Sequence, residues 1–307
     1  MKINCVIVTY NRLRLLKENI EAVKSQTFAP NQIFIINNNS TDGTADYLNT
    51  LTNDSQITVI HLPENIGGAG GFTHGIKKAI EAECEWIWVM DDDTIPTPDT
   101  LQELVEGTKA DEKVGFVCSK VVWTDGMVHK MNLPFFDVGR KDRIPLNYFS
   151  NQRDVLLAKS ASFVSLLIKT QAVYEVGLPI SEFFIWGDDI EFTSRIYDAG
   201  YFGIYAPHSV ALHKTAVNYV SEIHTAPIET LWKFYYDIRN STYLRSRRKN
   251  RFIFVFSTWN AYRRAVRKVR KRPVEEHKAF IQVLRKGFWK GLSFKPQIEY
   301  LTTPKKQ

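Results

Sequence analysis

Residues 86–93 read Trp-Ile-Trp-Val-Met-Asp-Asp-Asp, an apolar run that ends abruptly in three carboxylates. The apolar part predicts a short buried β-strand. Pro96 and Pro98 follow at once, so no helix begins here whose N-terminal dipole could stabilise the acids. Because an unpaired carboxylate is costly to bury, the aspartates either face water in a solvated turn or hold a divalent cation. Oxygen ligands of this kind suit Mg²⁺ or Mn²⁺.

The segments before this strand predict an α/β fold. Residues 3–9, 32–36 and 57–62 are β-branched apolar runs of strand length. Apolar side chains recur every three to four residues over 13–23, which predicts an amphipathic helix. A glycine-rich turn and a second helix, at 74–83, are expected before the acidic strand. Strands that alternate with helices predict a Rossmann-like, mostly parallel sheet with helices on both faces.

Four polar turns follow the predicted strands. Ligands bind beyond the carboxyl ends of the strands in sheets of this kind, so the turns are expected to form one site. The glycine-rich turn alone is weak support for an anion pocket, and a plain tight turn is its alternative. The turns are Thr9-Tyr-Asn11, Asn37-Asn-Asn-Ser-Thr-Asp-Gly43, Asn65-Ile-Gly-Gly-Ala-Gly-Gly71 and Asp91-Asp-Asp93.

The second half of the chain is predicted with less regularity. Strands are expected at 114–123 and 162–168, with a loop at 131–150. A helix is expected from Ser181 to Ala199, and residues 228–290 are expected to be largely helical.

A second acidic group, Asp188-Asp189 with Glu191, follows the apolar stretch Phe-Phe-Ile-Trp-Gly. An apolar wall raises the pKa of a carboxyl group, which suits it to accept a proton from a hydroxyl nucleophile. Acids that only complement a helix dipole are the alternative. Farther along, His213 could complete an Asp/Asp/His metal shell, although a single histidine after a strand is more often structural.

Composition fits a cytoplasmic protein with two differently charged regions. The chain has 307 residues, 44% of them hydrophobic, which suffices for one large domain or a domain plus an appendage. Three scattered cysteines suit a reducing compartment, and neither a signal peptide nor a membrane span is expected. Residues 233–307 carry 21 Lys and Arg against 4 Asp and Glu, whereas residues 1–232 carry 19 against 29.

The basic region interleaves aromatic residues with Lys and Arg at helical spacing, as in 245–259, 262–272 and 280–290. This pattern favours helices that lie on the anionic inner surface of the cell membrane. A solvated helical bundle is the main alternative. Nucleic-acid binding is a weaker one, since no recognised module is present, and no nucleic-acid partner is expected.

Six motifs in this order closely resemble the family 2 glycosyltransferases of GT-A fold, in particular the bacterial galactofuranosyltransferases and their rhamnosyltransferase relatives. Each motif alone is weak, whereas the combination over residues 3–214 is specific. The motifs are Val-Ile-Val-Thr-Tyr-Asn11-Arg, Asn39-Ser-Thr-Asp42-Gly-Thr, Asn65-Ile-Gly-Gly-Ala-Gly-Gly-Phe, Met90-Asp-Asp-Asp93, Trp186-Gly-Asp-Asp189-Ile-Glu-Phe and the late His213.

The resemblance implies a role for each matching residue. Asp91, Asp93 and His213 would bind Mn²⁺ or Mg²⁺, and Asp92 would contact the ribose or the sugar. Asp189 would be the general base, and Asp188 would assist catalysis and, with Trp186, bind the acceptor. The remaining residues expected to line the site of a nucleotide-sugar donor are Thr9, Asn11, Asn38, Asn65, Gly67, Gly68, Gly70 and Gly71. Asn37 departs from the family, many members of which have a uracil-reading aspartate there.

The resemblance therefore implies a GT-A catalytic domain over 1–227 and a basic helical region over 228–307. The expected reaction is metal-dependent, inverting transfer of galactofuranose from UDP-galactofuranose to a lipid-linked glycan of a bacterial surface polysaccharide such as an O-antigen. A dTDP-rhamnose-dependent transferase is the nearest alternative. A two-metal phosphoester hydrolase and a membrane or nucleic-acid adaptor with an inactive GT-A domain are alternatives from other classes.

Overall fold

A computed structural model describes residues 1–136, 156–218, 222–248 and 250–302. The chain forms two compact units. We call them the sheet unit (Met1–Ser181, Asp189–Tyr219 and Ile298–Gln307) and the helical unit (Glu182–Asp188 and Val220–Gln297). The sequence-based division at residue 227 differs from this in three places: residues 182–188 and 220–227 belong to the helical unit, and residues from Ile298 onward belong to the sheet unit.

The sheet unit is built on one mixed sheet, whose described strands run in the order β3-β2-β1-β4-β9-β6-β10-β8-β7, with β5 paired to β10. Strands β3, β2, β1, β4, β6 and β10 point the same way, while β9 runs against its neighbours β4 and β6. The strands are β1 Ile3–Thr9, β2 Gln32–Asn37, β3 Ile57–His61, β4 Trp86–Asp91, β5 Thr94–Pro96, β6 Val114–Val122, β7 Phe135–Phe136, β8 Leu156–Ser160, β9 Leu166–Lys169 and β10 Phe202–His213.

Helices cover both faces of this sheet, as predicted. Alternate residues of β1 point to opposite faces: Ile7 packs in a core with Leu16, whereas Val8 packs in a second core with Phe72. The helices of the sheet unit are α1 Leu13–Lys24, α2 Thr44–Asn49, α3 Gly67–Glu81, α4 Thr100–Thr108, α5 Thr170–Val176 and α6 Asp188–Asp198, whose first residue belongs to the helical unit.

Three sequence expectations need correction. Helix α3 begins at Gly67 rather than at His74, so the predicted glycine-rich turn is the first part of a helix. Residues 181–187 contain only a short 3₁₀ turn, and the α-helix begins at Asp188. Within 131–150 a two-residue strand, Phe135–Phe136, is present, and residues 137–155 lie outside the described part of the chain.

The helical unit packs three long helices around its own apolar cluster, which includes Phe234, Phe280 and Leu284. The helices are α7 Leu231–Arg248, α8 Arg251–Val269 and α9 Val274–Ser293, in agreement with the predicted helical region. Across the described residues, no helix has the length and apolarity needed to cross a membrane.

Candidate functional site

The sheet places the acidic run beside His213. Asp91 is the last residue of β4, and the run continues directly into β5. Strand β5 pairs with β10 in antiparallel register, so that Thr94 lies opposite His213. This pairing brings His213, which is 120 residues after Asp93 in the chain, to the carboxyl end of β4.

Asp91, Asp93 and His213 each offer one ligand atom, and these atoms lie within 4.8 Å of one another. Within the described part of the chain, this is the one group of three or more acidic, His or Cys side chains that converge in this way. Asp93 and His213 are buried, whereas Asp91 is partly exposed. Two carboxylates and an imidazole fit Mn²⁺ or Mg²⁺.

The orientation of the His213 ring supports a bound cation. His213 Nδ1 lies 2.8 Å from Asn132 Oδ1, and Asn132 Nδ2 donates to Ser162 Oγ at 2.9 Å. The imidazole therefore carries its hydrogen on Nδ1, which leaves the Nε2 lone pair 3.1 Å from Asp93 Oδ1. Two acceptor atoms this close require a proton or a metal ion between them.

The ring of His129 lies 4.6 Å from that of His213, centroid to centroid. Burial, followed by the nearby His213, lowers the pKa of His129 to about 4, so it is neutral at physiological pH. A neutral ring can pack here without repelling a cation.

Arg12 forms an ion pair with Asp93 in the same cluster. Burial opposes ionisation of Asp93. When no ion is bound, the proton that lies between Asp93 and His213 and the charge of Arg12 outweigh burial and lower the pKa of Asp93 to about 2. Asp93 is thus a carboxylate at every physiological pH. Arg12, Asn132 and His129 were not among the site residues predicted from the sequence. Arg12 could have been found because it follows Asn11 directly, whereas nothing local marks the other two.

Asp92 ties the end of β4 to the end of β1. One carboxylate oxygen accepts from Thr9 Oγ1 at 2.7 Å and from the Tyr10 backbone N–H at 3.2 Å. Burial raises the pKa of Asp92 to about 7, with a further contribution from Asp93. Thr9 and Asp92 thus have a structural role, and their contacts with the donor stay predictions.

The amides expected to line the donor site are held by the chain itself. Asn38 accepts from the Ile66 N–H and donates to the Gly67 carbonyl, both at 2.9 Å. Asn65 accepts from the Gly67 N–H at 2.9 Å, and Asn11 accepts from the Thr41 N–H at 2.7 Å. These bonds shape the edge of the sheet, and donor contacts by the three residues stay predictions.

The glycines of α3 have a packing role that sequence analysis missed. A methyl group on Gly71 would lie 2.6 Å from Val8 Cγ1, and one on Gly70 would lie 2.7 Å from Ile66 Cγ1. Such contacts are too close, so glycine lets α3 lie directly on β1. Gly68 has open space instead, and Gly67 has a positive φ of 77°.

Asp189 lies in the first turn of α6, in the sheet unit. Burial raises the pKa of Asp189 to about 6, although the backbone N–H of Ile190 donates to its carboxylate at 2.7 Å. A base with this pKa is largely ionised at pH 7 yet still binds a proton readily. Glu191 instead forms an ion pair with Arg195, whose guanidinium also donates to backbone carbonyls, so its role is structural.

The two acceptor candidates lie in the helical unit. Asp188 is buried, and the Trp186 ring packs edge-to-face on Phe234 at 5.3 Å, centroid to centroid. Trp186 itself is partly exposed, so one part of the ring is anchored while another can meet a ligand.

Comparison with protein families matches residues 5–165, just over half of the chain, to the family described as "Glycosyl transferase family 2". The chain belongs to this family. The resemblance inferred from the motifs is thus confirmed. Among relatives, the galactofuranosyltransferase GlfT1 of Mycolicibacterium smegmatis is 26% identical over 199 residues, or 64% of this chain. The match spans 65% of that relative's length, just under two thirds.

Solved structures confirm the GT-A fold of this family 2 member. TarS from Staphylococcus aureus superposes with a TM-score of 0.54 at 16% identity, covering 96% of this chain and 72% of TarS. The mannosyltransferase PcManGT from Pyrobaculum calidifontis, solved with GDP-Man and Mn²⁺, has a TM-score of 0.56 at 16% identity, covering 95% of this chain and 87% of PcManGT. At these identities the likeness shows the fold alone.

Proposed function

We propose that this protein is a metal-dependent, inverting glycosyltransferase of bacterial surface polysaccharide synthesis. The observation that carries the proposal is the convergence of Asp91, Asp93 and His213 at the sheet edge, in the unit that also holds Asp189. A metal cluster suits a diphosphate leaving group, and a carboxylate of raised pKa suits deprotonation of an alcohol. A two-metal phosphoester hydrolase is disfavoured because the described residues offer a single cluster.

Asp91, Asp93 and His213 would hold Mn²⁺ or Mg²⁺. When bound, the ion supplies Lewis-acid neutralisation of charge on the departing nucleoside diphosphate. Arg12, which pairs with Asp93, adds a permanent positive charge at the same place.

Asp189 is the proposed general base. Its carboxylate takes the proton of an acceptor hydroxyl as that oxygen attacks the anomeric carbon of the donor. The new bond to carbon forms opposite the bond to the diphosphate oxygen, which breaks with its electron pair. A single displacement of this kind inverts the configuration at the anomeric carbon.

UDP-galactofuranose is the proposed donor, since a relative 26% identical over 64% of this chain is a galactofuranosyltransferase. A dTDP-rhamnose donor is kept as the second candidate because of Asn37. Its Nδ2–H donates to His61 Nδ1 at 2.9 Å, and its Oδ1 accepts from the Ser40 N–H at 3.0 Å. The oxygen and an N–H of this amide already have hydrogen-bond partners. Asn37 therefore offers fewer free hydrogen-bonding groups to the nucleobase of the donor than a carboxylate would.

A panel of sugar nucleotides tests the function. The protein is incubated with each donor, Mn²⁺ and a lipid-tagged galactose acceptor, and products are identified by mass spectrometry. We expect transfer of one sugar from UDP-galactofuranose, loss of transfer when the metal is chelated, and inversion by NMR of the product. Transfer that is unaffected by chelation would contradict the metal role, and absence of transfer from every donor would contradict the function.

A lipid-linked acceptor is proposed because α8 presents an amphipathic surface. Phe252 and Phe256 are 88% and 70% exposed, and Trp259 is 51% exposed. These three residues are four and three positions apart, and the exposed Arg263 and Arg267 follow at intervals of four. One face of the helix therefore carries aromatic side chains in its first half and arginines in its second half. Aromatic side chains can enter the interface of a bilayer while arginines reach lipid phosphates, which favours attachment to the inner membrane surface.

Vesicle flotation tests this attachment. We expect binding to vesicles containing phosphatidylglycerol, weaker binding to pure phosphatidylcholine, and at least a tenfold loss when Phe252→Ala and Phe256→Ala are combined. Met127→Ala, which removes a side chain 66% exposed in the sheet unit, is the matched control. Equal flotation of the double variant and the control would show that this face of α8 does not bind lipid.

A further inference from the structure

The six residues before the Asp188-Asp189 pair follow an unusual backbone path. Phe184 and Trp186 have positive φ angles of 62° and 66°, and Gly187 has a φ of 88°. Non-glycine residues rarely adopt this left-handed region, and they keep it only when the surrounding structure imposes it. Some group in the helical unit must therefore hold this segment, Glu182–Gly187, which we call the aromatic loop.

Asn240, on α7, meets that requirement. Its side chain is buried, and its Nδ2 lies within hydrogen-bond distance of three backbone carbonyls of the aromatic loop. The distances are 3.1 Å to Phe183 O, 3.1 Å to Ile185 O and 2.8 Å to Trp186 O. The two N–H bonds of one amide group thus serve three carbonyls of the segment that contains the left-handed residues.

Arg239 holds the amide in this orientation. Its Nε donates to Asn240 Oδ1 at 2.9 Å, which turns the Nδ2 group toward the aromatic loop. Its Nη2 donates to the carbonyls of Glu182 at 2.6 Å and Phe183 at 3.0 Å. The guanidinium also lies 4.1 Å from the centre of the Phe294 ring, so it is fixed from a second side.

We propose that Asn240, oriented by Arg239, is a positioning residue for the acceptor. Holding the aromatic loop fixes the backbone that carries Trp186 and that leads directly into Asp188 and Asp189. The inference rests on the proposed function of these residues. It concerns the acceptor, because the candidate donor and metal residues lie on other segments of the chain, in the sheet unit.

Replacing Asn240 by aspartate tests the contribution of its two N–H donors. Asn240→Asp keeps the size of the side chain and the oxygen that faces Arg239, but it replaces the donors by a second oxygen that repels the three carbonyls. Asn240→Ala removes the side chain altogether. Ser241→Ala is the matched control, since the neighbouring Ser241 hydroxyl bonds within α7, to the Ile238 carbonyl.

The first experiment measures turnover of the acceptor and binding of the donor separately. We expect Asn240→Asp to lower kcat/KM for the acceptor about 100-fold, the loss typical of a displacement of about 1 Å, while the Kd for the donor nucleotide with Mn²⁺ stays within twofold. Ser241→Ala is expected to match the wild type in both. Equal losses in donor binding and in acceptor turnover would overturn the positioning role, and so would full acceptor activity in Asn240→Asp.

The second experiment does not depend on catalysis. Hydrogen–deuterium exchange with mass spectrometry is expected to show faster exchange in residues 182–188 of Asn240→Ala, with protection of β1 and β4 unchanged. Unchanged exchange at 182–188 would overturn the inference even if the protein proved to have another activity. A variant that loses protection throughout has unfolded, which would show that Asn240 stabilises the whole helical unit rather than positioning one loop.

Discussion

The proposed base makes a quantitative prediction about pH. Burial raises the pKa of Asp189 from 3.8 to about 6, which is an increase in proton affinity of about 100-fold. Only the carboxylate can accept the proton of the acceptor hydroxyl. The value of kcat/KM for the acceptor should therefore be constant above pH 7, reach half its maximum near pH 6 and fall about tenfold for each further unit.

The perturbation is Asp189→Asn, which keeps the shape of the side chain and removes its basicity. We expect kcat to fall by about 10² to 10⁴, the usual contribution of a general base, and the acidic limb of the profile to vanish from the residual rate. The assay follows release of nucleoside diphosphate at saturating donor, because the pKa of Asp92, raised to about 7, gives donor binding its own pH dependence.

A measurement of thermal stability shows whether the Asp189→Asn variant is folded. The raised pKa means that the folded state binds a proton more tightly than the unfolded state, so stability falls as pH rises from 3.8 to 6 and then levels off. Asp189→Asn removes this penalty and should melt no lower than the wild type at pH 7.5. A variant that is fully folded and retains more than a tenth of the wild-type kcat would refute Asp189 as the base, as would a wild-type limb near pH 4.

Three further predictions concern the metal and the packing of α3. Asn132→Ala frees the ring of His213 and should weaken Mn²⁺ binding about 10- to 100-fold by electron paramagnetic resonance, with a smaller effect for Ser162→Ala. Chelation of the metal should weaken binding of UDP at least tenfold by calorimetry, and equal affinity with and without Mn²⁺ would contradict the cluster. Gly71→Ala should destabilise the fold by about 1–3 kcal/mol in urea unfolding, because the methyl would lie 2.6 Å from Val8 Cγ1, whereas Gly68→Ala, with open space, should cost nothing.

Sequence patterns were sufficient for the first half of the fold. Apolar runs such as 3–9 and 86–90 form buried strands, and the spacing within 13–23 forms an amphipathic helix, because both patterns express which side chains must avoid water. The second half was predicted less well. Strand β9 runs against both neighbours, and α4 and α5 were not anticipated, since pairing partners distant in sequence decide strand direction.

The candidate site, like the fold, was predicted only in part from the sequence. Residue type alone identified the acidic triplet and the Asp188-Asp189 pair, because clustered carboxylates are costly to bury unless they are paired or coordinate a metal. It did not show that the glycines from Gly67 onward belong to a helix, where Gly70 and Gly71 permit close packing on Ile66 and Val8.

The amino-acid sequence by itself determined the family, the predominantly parallel sheet and the carboxylates available at its edge, since these depend on residue type and on periodicity along the chain. The tertiary structure alone decided that His213 faces Asp93, that Asn132 orients its ring and that Asn240 holds the loop before Asp188. Each of these contacts joins residues more than 50 positions apart. Hydrogen-bond geometry between such distant groups is set by how strands and helices pack, which no local pattern records.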